Sequence, residues 1–107
     1  TLATLKAAVA PDPIIHAKAY ITVGGVVSND LNIDSVNVTS GGADQYTYEI
    51  NLTTAAVANA IVSIAPQAST VVADTNADTE YKWVTTSQLR VFTFQSNNEG
   101  LSVFVLA

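Results

Sequence analysis

Hydrophobic and polar positions alternate most cleanly between Tyr46 and Leu52, where Tyr46, Tyr48, Ile50 and Leu52 fall on one face and Thr47, Glu49 and Asn51 on the other. A period of two over this length is the mark of a half-buried strand. Upstream, Ile33, Val36 and Val38 are interleaved with Asn37 and Thr39, giving a second, shorter strand. Its parity slips between Leu31/Ile33 and Val36/Val38, which predicts a bulge near Asp34 and Ser35, because a one-residue shift exchanges the two faces. Ser40 to Gln45 lies between these strands and is rich in residues that tolerate positive φ or bond their own backbone. The stretch from Leu31 to Leu52 therefore reads as an antiparallel hairpin whose loop is longer than the tight two-residue kind.

The same reading extends along the chain. Thr1 to Ala10 is the one segment with a helical pattern: Leu2, Leu5 and Val9 follow a three-then-four spacing, the seam of a coiled coil. Pro11 and Pro13 end it. Ile14 to Val23 is a strand with Ile15, Ala17, Ala19, Ile21 and Val23 opposite Ile14, His16, Lys18, Tyr20 and Thr22; Gly24-Gly25 breaks it, and Ser28-Asn29-Asp30 reads as a turn. Thr53 to Asn59 reads as a helical turn or an irregular crossover, and Ala60 to Ala65 as a buried strand stopped by Pro66. Further strands fall at Ser69 to Ala73, Glu80 to Thr85, Leu89 to Gln95 and Leu101 to Leu106, with turn signals at Asp74 to Asp78 and Asn97 to Gly100. About eight short strands at this spacing predict an all-β, antiparallel β-sandwich, jelly-roll-like, with a short N-terminal arm or helix. The expected division is an arm or stalk end over residues 1–13 and a sandwich over residues 14–107.

Composition sharpens this picture in one respect. Of 107 residues, 49% are apolar but only 12% charged, about half the usual share. The surface must then be built from Thr, Ser, Asn, Gln and Ala, as in a chain partly covered by partner subunits, although Thr/Asn-rich β surfaces also occur in monomers. Four basic against nine acidic residues, a net charge of −5, argue against nucleic-acid binding and against docking on an anionic membrane. No segment approaches the roughly 20 apolar residues of a membrane-spanning helix, and the opening TLATLKAAVA lacks the pattern of a secretion signal. There is no cysteine, hence no disulfide, thiol nucleophile or zinc ribbon.

Candidate chemistry is sparse. Asp74, Asn76, Asp78 and Glu80 fall at every second position, the opening of an EF-hand loop, but Thr79 stands where that loop needs glycine and Thr85 where it needs a bidentate glutamate. An acidic solvated turn is the better reading, with no metal or other cofactor. His16 is the sole histidine, and no nucleophile motif accompanies it, so no catalytic residue is assigned and no enzyme is expected. Glu49 and Glu80 are the strand glutamates a hydrolytic pair would need. Tyr46 with Tyr48, and Phe92 with Phe94, share strand faces as sugar-stacking platforms would; on single strands such aromatics are more often core. The sequons at Asn37 and Asn51 fall inside strands.

Three stretches, AKAYITVGG, NIDSVNVTSGGADQYTYEINLTTAAVANAIVSIAP and LRVFTFQSNNEGLSVFVLA, together resemble the small β-domains of bacteriophage tail fibres and other virion proteins. The resemblance runs from about Ala17 to Leu106 and departs from that family at Tyr20, often Trp there, and in the longer acidic loop from Asp74 to Glu80. It implies a non-enzymatic virion component at the particle surface, commonly a homotrimer. The leading expectation is a trimeric attachment knob; a trimeric capsid decoration protein and a carbohydrate-binding module are the alternatives. On that basis Leu2, Leu5 and Val9 are the expected stalk contacts. Ser40, Asp44, Gln45, Asp74, Asn76, Asp78, Asn97 and Asn98 are the expected exposed binding positions, since loops on rigid scaffolds carry binding. Expected partners are other copies of the chain, fibre or capsid proteins and a host-surface glycan, without nucleic acid or membrane insertion.

Overall fold

The computed structural model describes residues 14–68, 78–94 and 98–106, and all eight of its elements are strands. They are β1 (Ile15–Thr22), β2 (Val27–Leu31), β3 (Ile33–Gly42), β4 (Gln45–Leu52), β5 (Ile61–Ala68), β6 (Asp78–Thr85), β7 (Gln88–Phe94) and β8 (Asn98–Leu106). Two four-stranded antiparallel sheets result: sheet A in the order β2-β1-β8-β5 and sheet B in the order β3-β4-β7-β6. The β-sandwich expected from the alternation is the observed fold.

The core lies between the central strands. Ala17, Ala19 and Ile21 of β1 and Leu101, Val103 and Val105 of β8 face Tyr48, Ile50 and Leu52 of β4 and Leu89 and Val91 of β7, all buried. Burying the Ile, Leu and Val side chains among them is worth roughly 1.5–3 kcal/mol each. The faces of β1 and β4 are those the alternation assigns. Gly100 is required where β8 crosses β1, because a Cβ there would strike the Ile21 carbonyl oxygen and lie 2.9 Å from Thr22 Cα.

Several local expectations are corrected. The predicted bulge is present, as a register shift between Ile33 and Ser35, but Leu31 belongs to β2 rather than to the hairpin. Ser28 to Asp30 is strand, with Asn29 at φ 50° in place of the expected turn. The β3–β4 loop narrows to Ala43 and Asp44, with a register shift between Ser40 and Gly42 absorbing the remainder. β5 runs through Pro66, and alternates exposed with half-buried residues instead of being buried, because it is a sheet edge that needs no outward N–H. Asn98 to Gly100 opens β8 instead of forming a turn. Thr53 to Ala60 carries no strand or helix. The predicted helix at Thr1 to Ala10, with Leu2, Leu5 and Val9, and the predicted strand at Ser69 to Ala73 lie outside the described residues.

Asn32 forms the corner between the sheets, as the single residue between β2 and β3, at φ 58°. Asparagine is among the few non-glycine residues that adopt this region readily. Its Oδ1 accepts from the Thr54 amide at 2.8 Å, and its Nδ2 donates to the carbonyls of Thr54 (3.0 Å) and His16 (3.3 Å).

Candidate functional site

Antiparallel register places the outer side chains of each sheet in lateral rungs, and those of sheet B form an ordered series. The first rung is Ser35, Asn51, Gln88 and Thr85. Here the Gln88 amide donates to Asn51 Oδ1 at 2.9 Å and the Asn51 amide to Ser35 Oγ at 3.1 Å. Asn51 thus spends its amide within the sheet, while Asn37 of the other sequon is exposed. The next rung is Asn37, Glu49, Arg90 and Lys82, with Arg90 Nη2 donating to Glu49 Oε2 at 3.2 Å. Then come Thr39, Thr47, Phe92 and Glu80, and last Gln45, Phe94 and Asp78.

Those last two rungs enclose a shallow groove of about 190 Å³, lined by Gln45, Thr47, Asp78, Glu80, Phe92 and Phe94. Phe92 and Phe94 are 38% and 45% exposed. They stand about 7 Å apart along β7, with a threonine or glutamine beside them on β4 and a carboxylate beside them on β6, one strand spacing of about 4.8 Å away on each side. The two aromatic pairs noted in the sequence therefore have opposite fates. Tyr48 is fully buried and Tyr46 packs against the core, whereas Phe92 and Phe94 face outward and correct the reading that would have put them inside. Trp83 is part-buried on the inner side, its Nε1 donating to the Ala60 carbonyl at 3.1 Å, so it is no part of the groove.

No family model, curated protein or solved structure matches the chain.

Two of the expected binding positions, Gln45 and Asp78, line the groove. Ser40 and Asp44 are exposed at the nearby turn but do not line it; Ser40 Oγ donates to the Gly42 carbonyl at 3.2 Å. Asp74, Asn76 and Asn97 lie outside the described residues, and of Asn98 only the backbone is described, as the first residue of β8. Phe92, Phe94 and Glu80, which do line it, sit on strands and were not among the loop positions expected to bind.

The remaining candidates have structural roles. His16 Nε2 lies 2.9 Å from the Thr54 carbonyl and 3.1 Å from Asn32 Nδ2, so this nitrogen has a partner in either neutral tautomer: it donates to Thr54 or accepts from Asn32. Glu49 is held by Arg90, and Glu80 lies two strands away and one rung along, so the two glutamates do not form a facing pair. Among the described residues no group of three or more His, Asp or Glu side chains converges as a metal site would require.

The outer face of sheet A has a different character. Its rungs are Leu31, Lys18, Phe104 and Ser63; Ser28, Tyr20, Ser102 and Ala65; and, at the far end, Leu106 and Ile61. Leu31, Ile61 and Phe104 are 47%, 67% and 38% exposed. Lys18 is the one charge in these rungs, and its ammonium reaches Asn29 Oδ1 at 3.2 Å.

Proposed function

We propose that the chain is a non-enzymatic virion structural protein: the trimeric attachment domain of a bacteriophage tail fibre, exposed on the particle. The observation that carries this reading is the outer face of sheet A, where Phe104, Leu106 and Ile61 adjoin across β8 and β5, and Leu31 lies beyond Lys18 on β2. Apolar side chains grouped in this way mark surfaces that associate. Copies of one chain related by cyclic symmetry close such a surface without leaving an open filament. The sequence resemblance to small tail-fibre domains supports the virion setting, and the low charge of the surface is intelligible if part of it is covered by neighbouring copies. Sheet B then remains outward, with its polar rungs and groove available to a host surface.

Solution mass tests the proposal. Light scattering on the purified 107-residue chain is expected to give three times the 11.2 kDa of a single chain. Phe104→Glu is expected to return it to one. A single-chain mass across the accessible concentration range rejects self-association through this face.

A further inference from the structure

The groove on sheet B has a chemistry of its own, and from it we infer that Phe92 and Phe94, flanked by Glu80, Asp78, Thr47 and Gln45, bind the apolar face of an uncharged pyranose. The inference deepens the attachment reading and rests on it for the source of the sugar, a host-surface glycan, but the binding chemistry stands on the groove alone.

Three features define the ligand. Two exposed phenyl rings side by side on one strand make a shelf, and the negative faces of aromatic rings attract the polarised C–H bonds on the apolar side of a sugar ring. The polar groups lie beside the shelf rather than beneath it. Carboxylates on β6 accept hydrogen bonds from sugar hydroxyls, while the Thr47 hydroxyl and the Gln45 amide on β4 supply donors. The volume of about 190 Å³ is below the roughly 300–1,000 Å³ of pockets for drug-sized ligands, and suits one sugar ring of a chain that continues into solvent.

Charge selects among sugars. Asp78 and Glu80 line the same side of the groove, and the chain carries a net charge of −5, so sialic and uronic acids meet like charge while neutral hexoses do not. A simple cation is a poorer match. A cage needs rings around the ion, whereas these two stand in line, and exposed carboxylates in water add little Coulomb energy. A second copy of the chain is poorer still, since it would bring its own acids to this edge.

The test is amide-resolved NMR titration of the intact chain with methyl β-galactoside and methyl β-glucoside, alongside N-acetylneuraminic acid and tetramethylammonium. Weak, saturable shifts are expected with at least one neutral glycoside, confined to Thr47, Glu80, Phe92, Phe94 and their neighbours. Phe92→Ala and Phe94→Ala are each expected to weaken binding about tenfold, ~1.4 kcal/mol. Glu80→Gln is expected to weaken it by a smaller factor. Because both phenyl rings face outward, thermal melts of all three variants should match the parent. Three outcomes overturn the inference: no saturable shift with either neutral glycoside, shifts centred elsewhere on the chain, or stronger binding of the acidic sugar or of tetramethylammonium. Mass measured on the same samples separates the two proposals. Neutral-sugar binding by a single chain keeps the site and removes the trimer; a trimer without binding does the reverse.

Discussion

The outer faces of the two sheets share one core and differ in almost everything else. Sheet A turns outward Leu31, Phe104, Ile61 and Leu106 with Lys18, Tyr20 and several serines, whereas sheet B turns outward Glu49, Arg90, Lys82, Glu80 and Asp78 around Phe92 and Phe94. Both carry exposed phenylalanines, yet their neighbours give those rings different uses. Phe104 lies between Lys18 and Ser63 in a rung that ends at Leu31, and gains most when a like surface covers the whole set. Phe92 and Phe94 lie between hydrogen-bonding groups on both sides, where a large apolar partner would leave carboxylates desolvated and unpaired, at a cost of several kcal/mol. The rungs of sheet A carry one charge, Lys18, and those of sheet B five, so we assign assembly to the first face and a polar ligand to the second.

The largest effect is expected on β8, where core and outward positions alternate. Leu101 and Phe104 sit three apart on β8, one fully buried and one exposed. Leu101→Ala should lower unfolding free energy by about 2–5 kcal/mol, since it removes transfer energy and leaves a cavity between the sheets. Phe104→Ala should cost the single chain under ~0.5 kcal/mol, as surface substitutions away from special features do. Urea denaturation of both variants at concentrations too low for association makes the comparison. Equal losses would mean that Phe104 is part of the fold and would remove the argument that its face awaits a partner.

The next contrast exchanges the faces. Phe104→Glu is expected to weaken self-association at least about a hundredfold, ~2.7 kcal/mol, by burying an unpaired charge in the contact. Phe92→Glu should leave the mass unaltered. Sedimentation equilibrium on the two variants reads this directly. If Phe92→Glu dissociates the assembly and Phe104→Glu does not, the roles of the two faces are the reverse of those argued above.

This contrast was only partly legible in the sequence, for a physical reason. Alternation reports which residues share a face; it does not report which face turns inward when both are apolar. On β7 the choice lay between Leu89, Val91 and Thr93 and the set Arg90, Phe92 and Phe94, and on β8 between Leu101, Val103 and Val105 and the set with Phe104 and Leu106. Those choices are settled by the opposing sheet, a non-local constraint. The same holds for Pro66, which stops a central strand but is tolerated on an edge such as β5. The bulge at Ile33–Ser35 was visible because a parity slip is local. The groove was not, because Thr47, Glu80 and Phe92 become neighbours only through the β4-β7-β6 pairing.

The corner between the sheets offers a smaller test. Asn32→Ala removes the side-chain bonds to Thr54 and His16 and leaves a residue with a Cβ in the left-handed region. A loss of about 1–3 kcal/mol is expected in urea unfolding, chiefly from polar groups left unpaired. Asn32→Gly relieves the backbone but not the bonds, so it should recover only part of that loss. Full recovery would show that the conformation, not the hydrogen bonding, makes asparagine necessary at the turn from one sheet to the other.

The smallest effect is expected at the most conspicuous charges. Glu49 and Arg90 face each other across β4 and β7 at 3.2 Å, but their side chains remain 34% and 38% exposed. Water and salt screen such a pair, and holding two long side chains in one geometry costs entropy, so its net contribution is under about 1 kcal/mol. Glu49→Gln should therefore shift the urea midpoint only slightly, by an amount that shrinks further at 1 M salt, where the screening length falls to about 3 Å. It should also leave neutral-sugar binding unchanged, because the pair lies one rung away from the phenyl shelf. A large loss of stability would mean that this rung is covered in the assembled protein. Since burial is what makes an ion pair costly to break, that outcome would move the proposed subunit contact from sheet A onto sheet B.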